Sequence, residues 1–258
     1  MSFSDLPAVA IDVRGACKTY PNGTRALEPV DLLLREGEFV TIIGPSGCGK
    51  STLLRLIAGL AAPTQGDIVL SQSFSAPALA YVFQAPTLMP WATLQVNVRL
   101  PLDLAGVARE QADEKTRRAL NQVRLQDFAS SFPRELSGGM QMRASIARAL
   151  VTGAQLLLMD EPFGALDEIT RNRLDSEFAE LSSRERLTVL FVTHSIYEAV
   201  FLSSRVLVMS SRPGTICGEI SIDLPRPRPE AFRGTAEFAA YSAKLSEMLA
   251  GAMQEDAT

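Results

Sequence analysis

At 258 residues, 47% of them hydrophobic and 21% charged, the chain has the length and apolar content of a globular protein with a sizeable core, in one large domain or two small ones. A net charge of −4 and a pI near 5.2 exclude the broad basic surface of a nucleic-acid binder. No stretch approaches the ~18 consecutive apolar residues of a membrane span, and MSFSDLPAVAIDV carries acids rather than the basic region and apolar core of a secretion signal.

In chain order, Val9, Ile11 and Val13 alternate toward Tyr20, PNGT supplies a turn, and an extended run follows over residues 26–34, predicting a small antiparallel sheet. Tyr20 at that turn either offers its ring to a base or merely covers the sheet edge. Phe39, Val40, Thr41, Ile42 and Ile43 then lead as a buried strand into Gly44, Pro45, Ser46, Gly47, Cys48, Gly49, Lys50, Ser51 and Thr52. That loop matches GxxxxGK[ST] at every fixed position, and Leu53, Leu54, Leu56 and Ile57 follow at helical spacing. Strand, glycine loop and helix together turn successive backbone N–H groups inward on phosphates at the positive end of a helix. Lys50 is expected to reach the β- and γ-phosphates and Ser51 to offer its hydroxyl to Mg²⁺, which marks a nucleotide site. A disulfide at Cys48 would obstruct the ligand, so the three cysteines, at 17, 48 and 217, read as thiols of a reducing cytoplasm.

AAPTQGDIVL gives a turn and a strand, and ALAYVFQ gives another ending on Gln84, which either touches Mg²⁺ or the attacking water or simply marks a boundary. Residues 85–135 are proline-broken and then polar-helical, with Ala119, Leu120 and Val123 on one face, and read as a mostly helical insert. Within it Leu88, Met89 and Trp91 are either an exposed contact for a partner or core. In LSGGMQMRASIARAL, Ser137 reads as a helix cap, Gly138 and Gly139 leave the helix N-terminus open to a second anion, and Met142, Ile146, Ala149 and Leu150 share a face. An ordinary capped helix is the plain alternative. The apolar strand LLLMDEP ends on two carboxylates. Asp160 suits the water shell of Mg²⁺ and Glu161 can take the proton of an attacking water. Asp167 follows at a turn. TVLFVTH is another buried strand and ends on the single histidine, His194, at the sheet edge where open α/β folds bind ligands and where it can bond a γ-phosphate. RVLVMSSRPGTI reads as a last strand, followed by proline-rich PRPRPE and a helix to about residue 252; no chemistry is found there.

With these motifs in this order, the sequence resembles the nucleotide-binding subunit of an ATP-binding cassette (ABC) transporter from about Ile11 to its end. The resemblance implies an α/β fold with a RecA-like P-loop NTPase core, an antiparallel β subdomain and a helical insert subdomain. It implies one ATPase domain over 1–258: about 8–84 and 151–224 as core plus β subdomain, about 85–150 as helical subdomain, and 225–258 as a tail with a helix. By the same resemblance Tyr20 stacks on adenine, residues 44–52 are the Walker A loop, and Gln84 couples the site to a membrane subunit. Asp160 and Glu161 are the Walker B pair with Glu161 as general base, Asp167 is the D-loop aspartate, and His194 is the switch histidine. The LSGGM stretch, with Ser137, Gly138 and Gly139 as its nucleotide-binding residues, would act in trans, Ser137 and Gly139 binding the γ-phosphate held by the other copy of a head-to-tail homodimer. Met140 stands where glutamine is usual, with Gln141 next, and Ser195 follows the histidine where aspartate is common.

The wording of YPNGTRAL, VFQAPTLMPWATLQVNV, LSGGMQMR and HSIYEAVFLSSRVLVMSSRPGTI is most similar to importers of nitrate, sulfonate, taurine and related small anions. That implies ATP and Mg²⁺ as cofactors, integral membrane permease subunits as partners, and an extracytoplasmic substrate-binding protein engaged indirectly. It also implies a peripheral position on the cytoplasmic face of the membrane, with no nucleic acid involved. A soluble cassette ATPase acting on ribosomes or DNA is the alternative. Such proteins generally carry two cassettes or a long coiled coil, whereas this chain has one phosphate loop and an insert of about fifty residues. A module that binds nucleotide without turnover would need neither Glu161 nor His194.

Overall fold

The computed structural model describes residues 7–74 and 78–254. β1 (Val9–Thr19) and β2 (Arg25–Arg35) pair antiparallel about the PNGT turn. Ile11, Val13 and Ala16 of one and Leu27, Val30, Leu32 and Leu34 of the other are buried, the alternation of a sheet with one face on the core. β3 (Phe39–Ile43) runs through the phosphate loop into α1 (Lys50–Ile57), and β4 (Gln65–Leu70) returns to the free edge of β1, giving the order β2-β1-β4.

β5 (Leu79–Val82) is an edge strand of the second sheet, the one that holds β3, and α2 (Leu94–Leu104), α3 (Arg109–Gln122) and α4 (Gly138–Leu150) form a helical layer before the chain re-enters that sheet. There Ala119, Leu120 and Val123 are buried together as the spacing predicts, and the buried Arg99 bonds Asp103 at 3.0 Å and Asp113 at 2.6 Å. β6 (Leu156–Asp160), α5 (Glu168–Arg184), β7 (Thr188–Thr193), α6 (Ile196–Leu202), β8 (Arg205–Met209), β9 (Ile216–Ser221) and α7 (Ala236–Gln254) complete the order. The sheet runs β5-β6-β7-β3-β8-β9, parallel throughout except for β9.

β3, β6 and β7 are buried along their whole length, as parallel strands covered on both faces must be. Their residues divide by alternation. Val40, Ile42, Leu158 and Leu190 pack with Leu53 and Leu54 of α1 under the antiparallel sheet. Phe39, Leu157, Met159 and Phe191 pack with Phe178 of α5 and Phe201 of α6 on the other side. Because all the parallel strands end on the same edge, that edge collects the phosphate loop, the two carboxylates at the end of β6 and the histidine after β7.

Two expectations need correction. ALAYVFQ leaves the sheet at Val82, two residues short of Gln84. RVLVMSSRPGTI is two antiparallel strands rather than one: Ser210 and Thr215 close a turn by backbone hydrogen bonding at 2.9 Å, with Pro213 and Gly214 inside it. The tail also has a structural task. Arg228 is buried, and its guanidinium donates to the carbonyls of Val200 and Phe201, at 3.1 and 2.9 Å, and of Ser203 at 2.8 Å, satisfying the end of α6. Arg226 donates to Gly37 O at 3.0 Å and covers the ring of Phe39. Among the described residues the three cysteines are unbridged, and no helix is long and apolar enough to cross a membrane.

Candidate active site

The phosphate loop is shaped by glycines that no other residue can replace. Gly49 precedes α1 at φ +108°, and a Cβ there would lie 2.6 Å from Leu27 and 2.8 Å from Ala26 O. Lys50 is only 4% exposed; its Nζ donates to Gly44 O at 2.8 Å and Pro45 O at 2.9 Å, so the ammonium lies across the loop. Cys48 is buried with its Sγ 3.9 Å from that ammonium, and burial pushes its thiol up.

Ser51 Oγ donates to Asp160 Oδ1 at 2.7 Å, tying the loop to the end of β6. The other oxygen of Asp160 accepts from Tyr81 Oη at 2.9 Å. Burial, and then the charge of Asp160, raise the Tyr81 hydroxyl well above its ordinary value, so it remains a donor. Glu161, next in the chain, holds a left-handed backbone at φ +46°, a conformation that costs a non-glycine residue about 1–3 kcal/mol and clusters at functional sites. Its amide donates to Val192 O at 2.9 Å, and its Oε2 lies 3.1 Å from His194 Nδ1. The two strand ends thus meet as a carboxylate–imidazole pair.

Lys50, Ser51 and Glu161 border a cavity of about 310 Å³, which Asp160 and His194 adjoin through their bonds to Ser51 and Glu161 without lining it. Tyr20, Thr24 and Ala26 line one part, Ser46, Gly47, Gly49, Lys50, Ser51 and Thr52 another, with Glu161 and Arg212 completing it. Tyr20 Oη lies 3.2 Å from Thr52 Oγ1, and Lys18 Nζ stands 5.6 Å from the centre of the Tyr20 ring. A larger cleft of about 1010 Å³ lies in the helical layer beside Gln95, Glu110 and Glu114. It has no glycine loop and no buried cation, so chemistry rather than size identifies the site.

Other candidate residues lie elsewhere. Gln84 is exposed beyond β5 and does not line the cavity. Ser137 caps α4, its Oγ accepting from Met140 N at 3.3 Å. A Cβ on Gly138 would be 3.3 Å from Leu166, and one on Gly139 would be 2.9 Å from Thr170. Asp167 caps α5 by accepting from Thr170 N at 3.0 Å, which holds its carboxyl below the usual range. Ser137, Gly138, Gly139 and Asp167 therefore form a second cluster, none of which lines the cavity. Met140 packs on the core, and Gln141 Nε2 closes the preceding turn through Pro133 O and Leu136 O, at 3.0 and 3.2 Å. Ser195 caps α6 by accepting from Glu198 N at 3.3 Å.

Sequence reasoning missed Tyr81, Arg212 and a buried charge cluster beneath His194. Thr193 donates to Glu198 Oε2 in a short hydrogen bond, and Arg171, 3.9 Å from Glu198 Oε1, also donates to Leu166 O at 2.7 Å. Asp175, 0% exposed, bonds Arg233 at 2.7 Å. Burial and then Glu198 push the Asp175 carboxyl up to about 7. In the unfolded chain it titrates near ~3.9. Between those values the folded state holds a proton that the unfolded state lacks. Its contribution to stability is complete below about 4 and is lost as pH rises through about 7. Melting of the wild type is therefore expected to fall from pH 5 to pH 8 more steeply than that of Asp175→Asn; equal slopes would remove Asp175 as the titrating group.

A family model described as ABC transporter matches residues 27–164. The chain is 40% identical over 265 residues to the nitrate import ATP-binding protein NrtD of a Synechocystis strain, covering 99% of this chain and 97% of that one. It is 43% identical over 248 residues to the aliphatic sulfonates import ATP-binding protein SsuB of Rhodopseudomonas palustris, covering 95% and 85%. Among solved structures, a dimeric post-hydrolysis state of the ATP-binding cassette MJ0796, bound to ADP and Pi, matches with a TM-score of 0.71 at 32% identity. That match covers 83% of this chain and 100% of the other.

Proposed function

Since the chain belongs to the ABC transporter family and is an ATPase of that family, we propose that it is the ATP-hydrolysing subunit of an importer of small anions, working as a homodimer on separate membrane permease subunits. The observation that carries this reading is that Ser51, Lys50 and Glu161 line one cavity, with Ser51 tied to Asp160 at 2.7 Å and Glu161 paired with His194 at 3.1 Å behind that lining. A site that only bound nucleotide would need no such second pair.

The chemistry follows from the positions. The Tyr20 ring, with Lys18 near it and its hydroxyl held by Thr52, offers a face to adenine. Loop amides cradle the phosphates, and Lys50 exchanges the carbonyls of Gly44 and Pro45 for β- and γ-phosphate oxygens. Ser51 and Asp160 are hard oxygen ligands side by side, a donor set that fits Mg²⁺, which takes one or two protein ligands and completes its shell with water and phosphate. When bound, Mg²⁺ supplies charge neutralisation across the β- and γ-phosphates. Glu161 takes the proton of the attacking water. With Nδ1 of His194 engaged by Glu161, Nε2 faces the γ-phosphate and senses its loss. Gln84, on the exposed stretch after β5, reaches the water or the metal when nucleotide binds, and transmits that change to the permease.

Ser137, Gly138, Gly139 and Asp167 lie outside their own cavity and serve the cavity of a second copy, packed head to tail; the dimeric, ADP- and Pi-bound cassette supports this arrangement. The names of the nitrate and sulfonate relatives support a small anion such as nitrate, sulfonate or taurine as the transported class. The subunit would sit on the cytoplasmic face of the membrane and meet the extracytoplasmic binding protein only through the permease. No nucleic-acid partner is invoked, and nothing in the site favours action on ribosomes.

The structure separates Leu88, packed against the core, from Trp91, which is 77% exposed. We expect tagged protein to bring a multi-spanning permease out of a membrane extract, and Trp91→Glu to melt within about 1 °C of wild type while losing that partner. Capture of ribosomal proteins instead, or full capture by Trp91→Glu, would overturn the docking scheme.

A further inference from the structure

The turn between β8 and β9 lies against the back of the phosphate loop. Gly214 donates to Ala26 O at 3.1 Å and accepts from Glu28 N at 3.0 Å, so the turn is joined to the start of β2 on one side. On its other side it meets the loop backbone: a Cβ on Gly214 would come 1.9 Å from Cys48 O. Any residue but glycine here would force the two backbones apart. Arg212, two residues earlier, is carried on this clamped turn. Its Nε donates to Gly47 O at 3.1 Å, and its guanidinium lines the cavity.

Lys50 and Arg212 are the two cations among the residues that line the cavity, and they differ in kind. Lys50 is buried, its ammonium held by the loop's own carbonyls, whereas Arg212 is exposed. Arg212 makes no other hydrogen bond or ion pair among the described residues. A guanidinium has five N–H donors in a planar fork suited to phosphate oxygens, so anchoring through Nε leaves both terminal amino groups to bind. Its anchor points to the phosphates: Arg212 is pinned to Gly47, within the glycine stretch of the loop, whereas Tyr20, whose ring is read as the adenine platform, contacts Thr52 beyond that stretch, at 3.2 Å.

We infer that Arg212 is a nucleotide-binding residue that grips the terminal phosphates from the turn outside the phosphate-loop motif, as a second cation beside Lys50. The inference rests on the nucleotide reading of the cavity and extends it to a residue outside the phosphate-loop motif. The turn is thereby part of the site: it stiffens the loop through Gly214 and supplies the second charge through Arg212.

The test is a set of equilibrium titrations with a non-hydrolysable ATP analogue, ADP and AMP, on wild type, Arg212→Ala and Arg212→Lys, each checked by thermal melting. Arg212→Ala is expected to weaken the ATP analogue and ADP by about tenfold or more, the size of one lost charge-assisted contact, and AMP by less than about twofold. Arg212→Lys should recover part of the loss, because the charge returns without the fork. Wild-type affinity for the ATP analogue in Arg212→Ala would overturn the proposal. So would an equal loss for all three nucleotides, which would show a deformed loop. Failure of the wild type itself to bind the ATP analogue would instead sink the nucleotide reading beneath it.

Discussion

Glu161→Gln is expected to bind ATP about as well as the wild type and to hydrolyse it about 10²–10⁴ times more slowly. The amide has the carboxylate's shape, so it can keep the left-handed backbone and the contact with His194 Nδ1 that place residue 161. What it loses is basicity. Proton transfer by a positioned base contributes about that factor, or roughly 3–5 kcal/mol of barrier. The substitution also removes a negative charge from the cavity lining, so the ATP-bound dimer proposed above should persist. Size-exclusion chromatography with ATP and Mg²⁺ should then show a dimer that the wild type does not accumulate. Turnover within twofold of wild type would remove Glu161 as the base.

Lys50→Ala should fail one step earlier, at binding. Its ammonium is the one buried cation of the cavity, already supported by two carbonyls. Hydrogen bonds to charged groups are worth about 1.5–3 kcal/mol each. Losing the phosphate contacts of this group should therefore raise the Kd for ATP by at least about 30-fold. The carbonyls of Gly44 and Pro45 are left without their donor, so some loss of melting temperature is also expected. Titrations well below the melting transition separate the two effects. Unchanged ATP affinity there would contradict the phosphate-cradle reading.

What could be read from the chain alone was what is local along it. The phosphate loop needs glycines and a lysine at fixed offsets, and β3, β6 and β7 announce themselves as unbroken apolar runs that end on the residues they present. The turn at residues 210–215 was hidden because Ile216 resumes an apolar pattern that Met209 had ended, and periodicity does not register a reversal of direction. Tyr81 was missed for another reason. Its bond to Asp160 depends on the register that sets Tyr81 beside Leu158, and no spacing in the sequence encodes that pairing. Arg212 could have been suspected only from the Pro–Gly after it, which signals a turn but not what the turn rests on. Asp175, Glu198 and Arg233 come from three elements, and only packing unites them. The trio of Leu88, Met89 and Trp91 was undecidable as a group because its members face different ways.

The strand order has a consequence for how the protein is made. β3 carries the phosphate loop, yet both of its partners, β7 and β8, lie far downstream: Phe39 sits opposite Val189. At about 5–20 residues per second, a ribosome needs roughly 8–30 s to deliver the first of those neighbours after β3 has been made. Until then the strand has no bed and the loop has no fixed form. A nascent chain therefore displays the whole phosphate-binding motif without the geometry that makes it work. Nucleotide capture is deferred to the last part of translation, when the carboxylates and the histidine have been made as well.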